Sequence, residues 1–116
     1  MYSQMIRGVL EMCVLQIFVN RDYYGYDALE VLRPYFPNVK DTAFYVVLRR
    51  MHSLGYLEMY EGDNSLGPVR KYYRLTDKGK NYLNDLIGEW GRIKNVVETL
   101  GIKTTDKKEN QYEESN

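Results

Sequence analysis

Two stretches of alternating residues, YLEMYE and RKYYRL, constrain the fold of this chain more than any other feature. The loop GDNSLGPV, which is rich in turn-forming residues, separates them, so the pattern predicts an antiparallel hairpin with a long tip. An isolated hairpin is only marginally stable in water. The rest of the 116-residue chain must therefore supply helices against which the hairpin packs.

Three helices are predicted ahead of the hairpin. Apolar residues recur at helical spacing from Ile6 to Phe18, and further apolar residues lie on the other side of this first helix. A second helix follows the segment YYGY and ends near Pro34. The third helix ends at Gly55, a typical residue just after a helix. Its core stripe has the expected spacing and consists of Phe44, Val47, Leu48, Met51 and Leu54.

A long fourth helix is predicted after Thr76, a residue that caps helix N-termini well. Apolar residues step along it by three and four positions, and we call them the seam: Leu83, Leu86, Trp90, Ile93, Val97 and Leu100. Such a heptad pattern packs against another helix. Because the preceding elements can already close a core, the seam predicts pairing with a second copy of the chain.

The order helix, helix, helix, hairpin is that of a winged helix-turn-helix domain. We therefore expect a mainly α (α+β) fold in which residues 1–75 form a winged helix-turn-helix DNA-binding domain. Residues 76–101 are expected to form a C-terminal dimerisation helix. Residues 102–116 are polar and lack periodicity, and they are expected to be a disordered tail.

The sequence offers little for catalysis. It has a single histidine, His52, which we place on a helix surface, and a single cysteine, Cys13, and it lacks phosphate-binding loops and zinc-ligand spacings. No carboxylate is expected inside an apolar segment, where its pKa would be raised. We therefore expect no enzymatic activity, no cofactor and no metal.

The longest apolar run, Met12 to Val19, is far shorter than the roughly 20 residues that span a bilayer. No signal peptide is evident, so we expect a cytoplasmic protein without a membrane partner.

Positive charge is concentrated around the second hairpin strand, although 16 basic and 16 acidic residues balance over the whole chain. The basic cluster comprises Arg70, Lys71, Arg74, Lys78 and Lys80, with Asp77 as the single acidic residue among them. Local positive charge of this kind suits phosphate binding. Strand alternation predicts that Tyr73 and Leu75 face the core and that Arg70, Tyr72 and Arg74 are more exposed. A solvated charged hairpin is the alternative interpretation.

Three segments, YGY, LRRMHSLGYL and RKYYRLTDKGK, resemble the PadR family of bacterial transcription regulators. The similarity extends from about Ile6 to Leu100. It implies a homodimer in which the C-terminal helix of each subunit packs on the N-terminal helix of the other. It also implies that the third helix enters the major groove of double-stranded DNA, while the hairpin, or wing, reaches along the backbone or into the minor groove.

The resemblance and the basic cluster together assign a set of DNA-binding residues. They are Tyr24, Tyr26, Lys40, Thr42, Tyr45, Arg49, Arg70, Lys71 and Arg74. Arg49 suits bidentate reading of guanine, and for Tyr26 packing in the core is the alternative. Arg50 is equally compatible with a structural salt bridge. Ala43 stands where the family has threonine, and Lys40 replaces the usual capping residue, so the chain departs from the family pattern.

The first and fourth helices are expected to form the dimer interface through Leu10, Val14, Leu83, Leu86, Trp90, Ile93, Val97 and Leu100. Trp90 either fills space between helices or, as the resemblance to the family implies, binds a small aromatic effector. Lys94, one turn beyond, then favours an effector that is neutral or anionic. The predicted function is a dimeric, sequence-specific DNA-binding regulator, a ligand-responsive repressor of its own gene and a neighbouring one. The alternative is a winged-helix module that has lost specific DNA binding and binds another protein.

Overall fold

The computed structural model of the chain describes residues 4–62 and 67–104. The predicted helices, the two paired strands of the hairpin and the mixed α+β class are confirmed there. Residues 63–66 of the predicted hairpin tip lie outside the described residues. A single-turn 3-10 helix, Arg33–Tyr35, follows the second α-helix. The other elements are α1 Gln4–Ile17, β1 Tyr23–Tyr24, α2 Gly25–Leu32, α3 Asp41–Ser53, β2 Leu57–Gly62, β3 Arg70–Leu75 and α4 Asp77–Thr99.

The sheet has one strand more than the sequence predicted. β1 is only two residues long and pairs antiparallel with β3, which places Tyr23 opposite Tyr73 and Tyr24 opposite Tyr72. The strand order is therefore β1-β3-β2, with the basic strand β3 in the centre. A strand this short has no alternation to detect in the sequence, because its position depends on pairing with a distant segment.

One core joins the helices to the inner face of the sheet. Phe44 and Met51 of α3 are almost fully buried, and so is Leu57 of β2. Leu10, Val14 and Leu83, which were predicted to contact a second subunit, are 0%, 1% and 3% exposed within this core. They leave essentially no surface for a partner, so we remove them from the proposed dimer interface. The heptad pattern does not reveal this, because a stripe that packs inside its own domain has the same spacing as one that packs on another chain.

α4 begins inside the domain and then extends away from it. The Oγ1 atom of Thr76 accepts a hydrogen bond from the Gly79 N–H at 2.9 Å, which confirms the predicted cap. Gly79 and Leu83 are buried, whereas Trp90, Ile93 and Leu100 are 44%, 48% and 71% exposed. The first turns of α4 thus share the core of the preceding elements, and the later part of the seam faces solvent.

Within residues 4–62 and 67–104, no helix is long and apolar enough to cross a membrane. Most of the predicted disordered tail, residues 105–116, lies outside the described residues. The division into a DNA-binding domain and a dimerisation helix stays a prediction.

Candidate nucleic-acid interface

The outward face of α3 carries the side chains predicted to contact DNA. Lys40 occupies the N-cap position, where its side chain makes no capping hydrogen bond. Thr42 and Arg49 are exposed, Tyr45 is half-buried, and Val46 is 51% exposed. The inward side of α3 carries Phe44, Val47, Leu48 and Met51. Its opposite side therefore faces solvent and carries both polar and apolar side chains.

Tyr73 connects α3 to the central strand. Burial raises the pKa of its phenol, while the nearby Arg49 guanidinium acts in the opposite direction. The ring also packs edge-on against His52, with centroids 5.9 Å apart. The lone histidine therefore makes an aromatic contact at the side of the helix. The contact of Tyr73 with His52 and its electrostatic interaction with Arg49 place this part of β3 beside α3.

The basic residues of the wing lie on two different faces of β3. Leu75 is buried and Tyr73 packs on the core, while Tyr72 lies on the opposite face, so the predicted orientation of the strand is confirmed. Lys71 shares the Tyr73 face by strand alternation and thus lies on the side of α3. Arg70 and Arg74 lie on the outer face with Tyr72.

Aromatic rings cover that outer face. Tyr72 lies between Tyr24 and Tyr60, with ring centroids 6.2 and 5.8 Å apart, respectively. Its ring covers Gly62, where an added Cβ would approach Tyr72 Cε1 to 2.1 Å. The guanidinium carbon of Arg70 lies 5.1 Å from the centroid of the Tyr24 ring. Tyr24 is therefore half-buried in this aromatic row and contacts an arginine of the wing.

The basic cluster does not act as a single patch. Arg74 donates from Nε to Glu58 Oε1 at 2.7 Å, Lys80 lies 3.9 Å from Asp77, and Lys78 donates to the Leu54 carbonyl at 2.9 Å. Lys78 thereby binds the C-terminal end of α3, a structural role. Among the described residues, only Arg70 and Lys71 of this cluster make no ion pair with a carboxylate or bond to a helix end. The number of basic residues in the cluster therefore exceeds the number of free positive charges, because the sequence does not show which cations are already paired.

Tyr26 lies outside the core, with 48% of its surface exposed. A hydrogen bond with Glu30 is the main reason why its pKa is raised. The adjacent Arg33 donates from Nε and Nη2 to the two carboxylate oxygens of Asp41, each at 3.0 Å. This bidentate pair fixes the first turn of α3 to the end of α2, a contact that no pattern in the sequence predicts.

Glu11 corrects the expectation that no carboxylate lies in an apolar segment. This α1 residue is only 6% exposed. Arg50 of α3 donates from Nη1 to one carboxylate oxygen, so the structural salt bridge considered for Arg50 exists. The Tyr82 hydroxyl of α4 donates to the other oxygen at 2.7 Å. A signal was present in the sequence, since Glu11 lies between Leu10 and Met12, on the side of the helix that carries the apolar residues Val14 and Leu15.

Trp90 lines two apolar cavities beside the exposed part of α4. The larger one, about 420 Å³, is open to solvent and is lined by residues from α1, the end of α2, the 3-10 helix region and α4: Met12, Cys13, Gln16, Ile17, Leu32, Tyr35, Phe36, Ile87 and Trp90. Burial raises the pKa of the Cys13 thiol. Lys94, predicted with Trp90 as an effector contact, is exposed and lines neither cavity. The structure therefore brings Trp90, but not Lys94, to a volume suitable for an apolar ligand.

Comparison with known proteins gives consistent matches. A family model described as the transcriptional regulator PadR-like family matches residues 14–85. An uncharacterized protein of Lysinibacillus sphaericus is 35% identical over 99 residues, covering 83% of this chain and 91% of that protein. A crystal structure of a PadR-like regulator from Bacillus cereus superposes with a TM-score of 0.75 at 37% identity, covering 88% of this chain and 100% of that chain. A PadR family regulator from Clostridium difficile gives a TM-score of 0.70 at 32% identity, covering 78% and 96%, respectively.

Proposed function

The chain belongs to the PadR-like family of transcriptional regulators, and from this membership we propose that it is a homodimeric, sequence-specific repressor that responds to a ligand. Its α3 is the helix that reads duplex DNA in the major groove, and the wing contacts the adjacent backbone. By occupying promoter DNA the dimer represses its own gene and a neighbouring one.

The observation that carries this proposal is the outward face of α3 beside the wing. Arg49 makes no ion pair with a carboxylate in the described part of the chain, so its guanidinium is available for the edge of a guanine. Thr42 lies on the side of α3 opposite the core and offers a hydroxyl to a base or a phosphate. Lys71 lies on the side of the wing that faces α3 and supplies a positive charge for the phosphate backbone of the DNA.

The exposed part of the seam supports a homodimer. The side chains of Trp90, Ile93 and Leu100 on α4 are largely exposed, and exposed apolar surface of this kind favours association in water. Met5 at the start of α1 is 88% exposed and extends the apolar surface toward α4. A two-fold dimer would place two copies of α3 on successive half-sites of the operator.

The larger cavity beside Trp90 supports a ligand response. Its lining is almost entirely apolar apart from Gln16 and the Tyr35 hydroxyl, so it suits a flat aromatic compound without a positive charge. A ligand there would contact α1 and α4 together and change the spacing between the two copies of α3. Because Trp90 is the sole tryptophan of the chain, entry of such a compound is measurable as a change in intrinsic fluorescence.

Fluorescence anisotropy with duplex DNA from upstream of the chain's own gene tests the repressor function. We expect tight binding that a scrambled duplex does not reproduce and that an Arg49→Ala, Arg70→Ala double variant loses. Affinity should fall on the order of a thousandfold between about 50 and 200 mM salt if several phosphates are contacted. Binding that does not distinguish operator from scrambled DNA, at this promoter and in a genome-wide selection, would favour the protein-binding module instead.

A further inference from the structure

A small cleft lies between α1 and α3, on the side of α3 away from the wing. Its volume is about 230 Å³, and its lining residues are Arg7, Glu11, Val46, Val47 and Arg50. Two guanidinium groups and one carboxylate leave it with a net positive charge. Within the described residues no carboxylate pairs with Arg7, so the charge of that residue is uncompensated.

Arg50 is held in this cleft but is not buried by it. Its side chain remains 53% exposed, whereas that of Glu11 is 8% exposed. A guanidinium has five N–H donors in a fixed plane, and Glu11 engages Arg50 through Nη1. The donors on the solvent side are thus oriented by a buried carboxylate, and Tyr82 fixes the carboxylate from α4.

The cleft adjoins the surface proposed to read DNA. Val46 lies one turn before Arg50 on α3, is 51% exposed, and lines the cleft. An α-helix with its side chains is about 10–12 Å across, close to the roughly 12 Å width of the major groove. A helix in that groove therefore has a phosphate backbone on each flank. The wing, with Lys71, covers one flank of α3, and Arg7 and Arg50 stand on the other.

We propose that the α1–α3 cleft binds a backbone phosphate of the DNA duplex through Arg7 and Arg50, with Glu11 as a positioning residue. This inference rests on the proposed function and adds a contact from α1 to the interface. Arg7 supplies an unpaired charge, Arg50 supplies a forked donor, and Glu11 acts only through Arg50. The phosphate contact fixes the position of the duplex along α3 and carries no base specificity of its own.

The first test is the salt dependence of duplex binding by Arg7→Gln in the full chain. Each lost phosphate contact lowers the slope of log K against log salt by about 0.9. With two copies of the cleft per dimer, the loss of affinity between about 50 and 200 mM salt should be roughly tenfold smaller for the variant than for the wild type. Arg92→Gln, which removes an exposed arginine of α4, is the matched control and should retain the wild-type slope. An Arg7→Gln slope equal to that of the wild type would overturn the cleft assignment but leave the repressor function intact, whereas a wild-type chain that binds no duplex would overturn both.

The positioning role of Glu11 is tested by combining two substitutions. Glu11→Gln should weaken duplex binding in the wild-type background and should cause no further loss when Arg50→Gln is already present. Circular dichroism must show that all variants are folded. If Glu11→Gln then causes the same loss of affinity in both backgrounds, Glu11 does not act through Arg50 and has only a structural role. Should either variant fail to fold, the Arg7→Gln slope still decides the proposal.

Inorganic phosphate distinguishes a DNA backbone from a free anion. Phosphate is a kosmotrope that stabilises folded proteins without binding to a site. At constant ionic strength it should therefore raise the melting temperatures of the wild type and of Arg7→Gln equally relative to chloride, because a single phosphate lacks the remaining contacts of the duplex. A phosphate-specific rise that Arg7→Gln abolishes would identify the cleft as a site for a free anion and overturn its assignment to DNA.

Discussion

The rings of Tyr56 and Tyr82 lie parallel, 4.1 Å apart between centroids with 3° between their planes. Tyr56 directly precedes β2, and Tyr82 belongs to the second turn of α4. Beside them, the Thr76 hydroxyl donates to the Gly55 carbonyl at 2.7 Å, and Lys78 binds the end of α3. The C-terminal end of α3 and the start of α4 are therefore joined as one rigid unit. A change in the position of α4 is expected to move α3 as a body rather than bend the domain.

Tyr82→Phe should destabilise the fold by about 1–2 kcal/mol at neutral pH, because it removes the hydroxyl that donates to buried Glu11 and keeps the stacked ring. The folded protein raises the pKa of Tyr82 to about 12, mainly through burial and then through its bond to Glu11. This stabilisation is complete below the unfolded pKa of about 10 and is lost as the pH rises through about 12. Urea denaturation of both proteins from pH 7 to 12 should show that the difference between their free energies of unfolding decreases between about pH 10 and 12. Tyr35→Phe, at a side chain 77% exposed, is the control and should match the wild type throughout.

Lys71→Ala and Arg74→Ala should affect DNA binding differently, although both remove one positive charge from β3. Lys71 faces the α3 side of the wing and makes no ion pair within the described residues, whereas Arg74 is paired with Glu58. We expect Lys71→Ala to weaken binding several-fold and to lower the salt slope by about one per subunit. The loss for Arg74→Ala should be smaller. Equal losses in anisotropy titrations would contradict the proposal that Lys71 binds the DNA backbone more strongly than the paired Arg74.

Ile93→Glu should shift the proposed dimer toward monomer, since it places a charge in the exposed part of the seam without touching the core. Ile93 is 48% exposed, so the monomer should remain folded. Asn84→Glu is a suitable comparison because residue 84 lies on the opposite side of α4, at 100° per residue. Sedimentation equilibrium should show weaker association for the first variant only. A monomeric wild type, or an Ile93→Glu dimer as stable as the wild type, would exclude this interface.

Two glycines of α4 should respond oppositely to replacement by alanine. A Cβ on Gly79 would lie 2.1 Å from the Tyr56 backbone carbonyl oxygen, whereas one on Gly88 would first meet Arg92 Nη1 at 3.6 Å. Gly79→Ala should therefore destabilise the domain by about 1–3 kcal/mol through overpacking. Gly88→Ala should stabilise it by up to about 1 kcal/mol through helix propensity. Thermal unfolding of the two variants at the same protein concentration compares them directly, and a Gly79→Ala variant as stable as the wild type would contradict the close packing of α4 on Tyr56.

Elements with a local signal can be predicted from the amino-acid sequence alone. Apolar spacing predicts α1, α3 and α4, strand alternation predicts β2 and β3, and Thr76 marks the start of the last helix. The motifs YGY, LRRMHSLGYL and RKYYRLTDKGK identify the family, because each is a contiguous segment whose residues are read directly. The orientation of β3, with Leu75 inward and Tyr72 outward, also follows from alternation alone.

Which residues are available for binding depends on contacts that form only when the chain folds. Leu10, Val14 and Leu83 satisfy the spacing of an interface, yet they lie in the core of their own domain. Arg74 and Lys78 count as positive charges, yet a carboxylate and a carbonyl already bind them. Glu11 meets Arg50 and Tyr82 across 39 and 71 positions of sequence. Spacing and composition describe neighbours along the chain, whereas burial and ion pairing depend on residues that folding brings together from distant segments.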